Sequence, residues 1–280
     1  MILNEDALRL DLNLTASRLK RFIKDYVKKA KATGVALNLS GGVDSSTIAA
    51  LSALAIGGDK VLALSLPEKE TRNSTDVKHS QMVARKYHFT LQSIDITQIL
   101  ESCFGTIPAF DSRDRLSKGN IKARARMIIV YYYANKQNRI VVGPSDKSET
   151  LMGYFTKWGD VAADISPLMD LYKTQVRQLA AHIGIPQEIV VKPSTPQLWP
   201  GQLAEQELGM KYQTLDLVLF GLENFMDSEE IADQLNLPLN AVTNIRNRWL
   251  SNEHKRRAPL SMKIGYRTIG ADFRLPYNSP

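Results

Sequence analysis

A short apolar run, Val35–Leu37, leads into Leu39-Ser40-Gly41-Gly42-Val43-Asp44-Ser45-Ser46 and then into a helix-compatible stretch, Thr47–Ala55. A strand, a glycine turn and a helix start in that order form a cradle for phosphate. Glycines let the backbone approach an anion closely, and the first helical N–H groups point at it. Ser40, Ser45 and Ser46 add hydroxyl donors, and Asp44 is placed to hold the Mg²⁺ that accompanies a nucleotide. The closing Gly-Lys-Ser/Thr of a Walker loop is absent.

The rest of the chain supplies a scaffold for such a loop. Leu19, Phe22, Ile23, Tyr26 and Val27 recur at helical spacing, which predicts an amphipathic helix over Thr15–Lys31. Strand-like runs at Val35–Leu39, Val61–Leu66, Leu91–Ile96 and Arg139–Gly143 alternate with helix-like segments at Ser46–Ala55, Ser74–Tyr87 and Ile121–Lys136. This alternation predicts an α/β fold, a doubly wound parallel sheet of Rossmann-like type with helices on both faces. Ligands of such sheets bind beyond the carboxyl ends of the strands. The cradle lies at one such end, as do Pro67–Thr71 and Pro144–Glu149. Asp111–Gly119 and Lys192–Gln202 read as loops able to cover a site, and from Ser228 the chain is helical again.

Composition narrows the class. The chain has 280 residues, 44% of them hydrophobic, which is ample for a buried core. No apolar run reaches the ~18 residues of a membrane span. The first residues carry Glu5, Asp6 and Asp11, unlike a secretory or mitochondrial leader. Cys103 is the only cysteine, which excludes an internal disulfide, and packing in the core is its expected role. A cytoplasmic protein with no membrane partner is the expectation. The net charge of +7 suits an anionic small molecule or nucleic acid. Its cationic residues are dispersed over what reads as surface, with the densest clusters at Lys122-Arg124-Arg126 and His254-Lys255-Arg256-Arg257. Glu229–Trp249 has a helix–turn–helix rhythm, but that rhythm serves any packed helix pair, and no nucleic acid partner is expected. The run Tyr131-Tyr132-Tyr133 reads as core or dimer packing rather than a base-stacking platform.

Ser-Gly-Gly-x-Asp-Ser resembles the pyrophosphate loop of the ATP pyrophosphatases, the adenine nucleotide alpha-hydrolase-like superfamily. Further segments narrow the resemblance. Gly119-Asn120-Ile121-Lys122-Ala123-Arg124-Ala125-Arg126-Met127, Lys147-Ser148-Glu149, Gly153-Tyr154-Phe155-Thr156-Lys157-Trp158-Gly159-Asp160, Asp164-Ile165-Ser166-Pro167-Leu168, Asp170–Val176, Leu198–Gln202, Glu207-Leu208-Gly209 and Glu253-His254-Lys255-Arg256 resemble segments of NAD synthetases. The likeness runs from about residue 15 to 257.

The resemblance implies an ammonia-dependent amide ligase that joins deamido-NAD and ammonia to give NAD, with ATP cleaved to AMP and pyrophosphate through an acyl adenylate. It implies Mg²⁺ as cofactor and ATP as co-substrate. Leu39, Ser40, Gly41, Gly42, Val43, Asp44, Ser45 and Ser46, with Lys173 and Thr195, would hold ATP. Asp44 and Glu149 would be the metal ligands, and with Lys173 the catalytic set. Arg124, Lys157, Asp164, His254 and Lys255 would contact deamido-NAD. A homodimer is implied too, as is a single catalytic domain over residues 1–280 without a glutaminase domain. Residues 258–280 form a tail.

The chain departs from that pattern in places. Pro144 stands where the family usually has a threonine, Val161-Ala162-Ala163 replace a glycine pair, and Leu203-Ala204 lose one acid. In the tail, Asp272-Phe273-Arg274-Leu275-Pro276 is similar to the longer glutamine-dependent forms. These changes leave open a related ligase that adenylates another carboxylate, or a non-catalytic ATP-binding paralogue.

Overall fold

The computed structural model describes residues 1–269, 272 and 273. The tail residues Arg274, Leu275 and Pro276 lie outside the described residues. The expected strands are β1 (Gly34–Asn38), β2 (Val61–Ser65), β3 (Thr90–Ser93) and β4 (Arg139–Val141). They form one parallel sheet in the order β3-β2-β1-β4. Val35 lies in register with both Val61 and Ile140. β1 and β2 are apolar almost throughout because both of their faces are covered. β3, at the edge, mixes Thr90, Gln92 and Ser93 with Leu91.

The helices are α1 (Leu12–Lys29), α2 (Val43–Ile56), α3 (Ser74–Tyr87), α4 (Thr97–Thr106), α5 (Arg115–Lys136), α6 (Lys147–Leu151), α7 (Lys173–His182), α8 (Gln187–Val190), α9 (Ala204–Leu208), α10 (Tyr212–Glu223), α11 (Ser228–Leu235), α12 (Leu239–Ser251) and α13 (Glu253–Arg256). α1, α2, α3 and α7 bury Ile23, Ile48, Leu51, Val83, Val176 and Leu179 against one sheet face. α4 and α5 bury Leu100, Ala125, Val130 and Ala134 against the other, where Ala36, Leu62 and Leu64 point. A third core gathers α10, α11 and α12 around Tyr212, Leu215, Ile231 and Val242. The helix–turn–helix rhythm of Glu229–Trp249 is therefore a packed pair. Among the described residues no helix is long and apolar enough to cross a membrane.

Several boundaries differ from the sequence reading, for local reasons. α1 starts at Leu12 because the Asp11 side chain accepts from Leu14 N. α5 starts inside the polar run Asp111–Gly119, because the Asp114 side chain caps it by accepting from Ser117 N. α2 starts at Val43, so Asp44, Ser45 and Ser46 belong to a helix rather than to the turn. Cys103 is exposed, not packed in the core.

The topology decides where a site forms. The chain moves from β1 to β2 to β3 on one side, then returns to add β4 on the other side of β1. The loops leaving β1 and β4 diverge, and a crevice opens between them at the strands' carboxyl ends.

Candidate active site

Gly41 has φ +79°, and a Cβ there would stand 2.4 Å from the Asp76 carbonyl oxygen. Only glycine fits. Gly42 has φ −86°, and its Cβ would meet nothing closer than Ser40 Oγ at 3.5 Å. The fold does not need that glycine, whereas a phosphate lying on the loop would. The loop is held without a ligand: Ser40 N donates to Ser45 Oγ (3.2 Å), and Ser45 Oγ donates to Gly42 O (3.2 Å). No side chain caps α2, so its first N–H groups face the loop. Leu39, Val43 and Ser46 are buried. The side chains of Leu39 and Val43 belong to the core, and only their backbones are placed to meet a phosphate. Gly41→Ala is expected to destabilise the fold, by the clash and by about 1–3 kcal/mol of backbone strain. Gly42→Ala is expected to keep its melting temperature and lose nucleotide binding. Thermal melts with and without ATP separate the two outcomes.

Three carboxylates converge where the loops of β1 and β4 meet. Asp44 lies in the first turn of α2, Asp146 caps α6 by accepting from Glu149 N (2.8 Å), and Glu149 is in α6 itself. One oxygen from each lies within 4.8 Å of the others. The ammonium of Lys173, at the start of α7, sits behind them at 2.7 Å from Asp44, 2.7 Å from Asp146 and 2.8 Å from Glu149. Lys173 is fully buried, so it backs the acids rather than lining the crevice. The Tyr212 ring lies 5.3 Å from its Nζ. Asp216, also fully buried, fixes the start of α7: Ser148 Oγ donates to it (2.6 Å), as do Thr174 N and Oγ1 (2.8 Å each). Ser148 Oγ in turn accepts from Lys173 N (2.8 Å).

The electrostatics follow from the enclosure. Burial, against the pull of Lys173 and helped by Asp146 and Asp44, pushes Glu149 up to about 8. Asp146 is pushed up to about 6 by burial, with Lys173 opposing and Asp44 adding. Burial works against the Lys173 charge, but the three acids outweigh it and hold its pKa well above the ordinary lysine value. Oδ1 of Asp44 is buried and accepts no hydrogen bond, whereas Oδ2 of Asp146 lies 2.7 Å from Lys173 Nζ. A hard anionic oxygen left over in this way, within a cluster of three carboxylates, fits Mg²⁺. Asp44 and Glu149 are the metal ligands expected from the sequence; the fold brings Asp146, which was not among them, beside both. Its signal, an Asp three residues before a Glu at a helix start, is the same as that of an ordinary cap.

A cavity of about 470 Å³ opens in front of the acids. Its walls include Ser40, Asp44, Ser45, Glu149, Thr195 and Lys255, so the structure brings these expected residues together. Thr195 reaches it from the irregular segment 192–202, which Asp76 fastens to α3 by accepting from Lys192 Nζ and Gln197 Nε2. Pro144 and Ser145 also line it. Arg124, Lys157, Asp164 and His254 are not on that wall; the first two and His254 group outside it, and Asp164 is held apart from them at the end of β4. Arg124 Nη2 donates to Lys157 O (3.1 Å), and Lys157 Nζ donates to His254 O (2.9 Å). Asp164 accepts from Val141 N (2.8 Å) and from Tyr131 OH (3.4 Å). Lys255 Nζ donates to the carbonyls of Gly153 and Phe155. Arg248 Nε donates to Met152 O (3.2 Å).

The cluster Lys122-Arg124-Arg126 is not one surface patch. Lys122 is buried, and its Nζ binds Glu68 (2.7 Å) and Glu70 (2.8 Å), tying the loop after β2 to α5. Arg124 is exposed, and Arg126 lines the cavity. Tyr131 lines it as well, while Tyr132 is exposed.

A parallel sheet with a glycine cradle after its first strand and an acidic cluster at the switch point defines a nucleotide-binding α/β protein of the ATP pyrophosphatase type. The profile of the NAD synthase family matches residues 15–259, and the chain belongs to that family. It is 44% identical over 258 residues to the NH3-dependent NAD+ synthetase of Hyperthermus butylicus, covering 92% of each chain. It is 45% identical over 250 residues to the enzyme of that name from Methanocaldococcus jannaschii, covering 89% of this chain and 96% of the other. Among solved structures, NMN synthetase from Francisella tularensis superposes with TM-score 0.80 at 30% identity, covering 91% of this chain and 99% of that one. NH3-dependent NAD synthetase from Campylobacter jejuni does so with TM-score 0.76 at 27% identity, covering 91% and 100%.

Proposed function

We propose that the chain converts deamido-NAD, ATP and ammonia into NAD, AMP and pyrophosphate. One observation supports the dinucleotide most. Arg124, Lys157, Arg248 and Lys255 are held by backbone carbonyls, and none forms an ion pair among the described residues. A carbonyl orients a cation without cancelling its charge. This side of the site therefore keeps positive charge for the pyrophosphate and carboxylate of an acidic dinucleotide.

In this reading the cradle from Ser40 to Ser46 and the first N–H groups of α2 bind the ATP phosphates, with Thr195 closing from the opposite segment. Asp44, Glu149 and Asp146 would hold Mg²⁺, which supplies positive charge to offset that of the leaving pyrophosphate. Lys173, anchored through Ser148 and Asp216, keeps the acids in place. The nicotinate carboxylate oxygen bonds to the α-phosphorus as the bond from that phosphorus to the β-phosphate oxygen breaks, and pyrophosphate leaves. Ammonia then bonds to the acyl carbon, AMP leaves with the electron pair of the C–O bond, and the nitrogen sheds a proton to solvent. The protein's contribution is positioning and electrostatic. A second copy of the chain covers Ile128, Tyr132 and Trp158, exposed beside Arg124 and Lys157, and completes the dinucleotide side.

Lys255→Ala tests the assignment. A charge-assisted contact is worth about 1.5–3 kcal/mol. The variant's KM for deamido-NAD is expected to rise about tenfold or more, with a much smaller rise for ATP. Equal rises for both substrates in steady-state kinetics would count against a dinucleotide contact.

A further inference from the structure

We propose that Arg126 binds the α-phosphoryl group, the one phosphate common to ATP, the acyl adenylate and AMP. The inference rests on the reading above and adds to it a residue that the motifs did not assign.

Arg124 and Arg126 stand two residues apart on α5, about 200° around a helix, so they face opposite ways. Arg124 is exposed and reaches back to Lys157 O. Arg126 turns inward to the cavity. Its Nε donates to Leu66 O (3.2 Å), at the end of β2. Among the described residues it makes no other hydrogen bond and no ion pair. Both Nη groups are therefore left over in a half-enclosed place. Burial lowers its pKa, and Glu68 and Asp160 offset this only from beyond ion-pair distance. A guanidinium so placed is costly unless an anion meets it, and its planar fork matches two oxygens of one phosphate or carboxylate.

Position selects the anion. Leu66 directly follows β2, the strand next to β1, whose loop is the cradle, and Arg126 shares the cavity wall with Thr156, Gly159 and Asp160 of the substrate side. In the reading above, the carboxylate meets the α-phosphorus between these two sides, where Arg126 stands. The β- and γ-phosphates are served by the cradle and the acidic cluster. The carboxylate loses its charge on adenylation, while the α-phosphoryl group stays anionic from ATP to AMP. A fixed, desolvated cation matches the charge that persists.

The test is calorimetric titration of the full chain with AMP and with adenosine, which lacks the phosphate. Arg126→Gln is expected to weaken AMP binding about 10- to 100-fold, the range of a charge-assisted contact, and to leave adenosine within about twofold. An unchanged AMP affinity, or equal losses for AMP and adenosine, would overturn the proposal. So would a wild-type chain with no preference for AMP over adenosine. Should Arg126→Gln fail to fold, Arg126→Lys carries the comparison, because an ammonium cannot make the two-pronged contact. An unchanged ratio of AMP to adenosine affinity then overturns it. NAD formation by the wild type is scored separately: a chain that binds AMP and makes no NAD sinks the functional reading, whereas an unchanged ratio in the variants sinks this inference alone.

Discussion

Lys173→Met should cost the metal-free protein about 3–5 kcal/mol of folding stability, the usual penalty for removing one partner of a buried ion cluster. The ammonium is fully buried and lies within 2.8 Å of an oxygen from each of Asp44, Asp146 and Glu149. With it gone, three carboxyls share an enclosed space with no cation. They must take up protons or repel each other. Methionine keeps the volume of the stem, so the loss is electrostatic rather than a packing void. If the cluster is a metal site, Mg²⁺ replaces the missing charge, and its addition should raise the variant's melting temperature more than the wild type's. A variant that melts like the wild type without Mg²⁺ would contradict this account of the cluster. Equal Mg²⁺ effects on both proteins would contradict the metal assignment.

Asp44→Asn should cut adenylation about 10²-fold or more, because it removes one anionic metal ligand while keeping the shape of the loop. The fold is expected to tolerate it. Asp44 Oδ1 accepts no hydrogen bond in the present structure, and the amide remains able to accept from Lys173 through its own oxygen. The defect should therefore appear in the rate of pyrophosphate release and in Mg²⁺ dependence, and not in a melting curve. Near-normal pyrophosphate release from this variant at low Mg²⁺ would remove Asp44 from the site.

The cradle was legible in the sequence because its determinants are local. Glycines, serines and an aspartate within a few residues, between a strand and a helix, specify one conformation. The alternation of strands and helices gave the parallel sheet for the same reason. What escaped was set by distant partners or by helical phase. Lys122 reads as a surface charge until Glu68 is brought against it from another segment. Asp146 reads as a helix cap, which it also is. Periodicity alone does not say which of Arg124 and Arg126 faces inward, because that depends on how α5 seats on the sheet. Arg115–Gly119 was hidden by its charges, although Asp114 and Ser117 carry the cap that starts the helix. Cys103 reads as core by residue type, but it falls on the open side of α4.

The acid that is activated is decided by comparing deamido-NAD with a smaller acid, nicotinate mononucleotide, which lacks the adenylyl half of the dinucleotide. The most direct measurement supplies the purified chain with ATP, Mg²⁺ and either deamido-NAD or nicotinate mononucleotide, and follows pyrophosphate and amide product with and without ammonium. The expected result is pyrophosphate release that depends on deamido-NAD, NAD that appears only with ammonium, and no substitution of ammonium by glutamine. Pyrophosphate release driven by the mononucleotide, with no NAD formed from deamido-NAD, would contradict it.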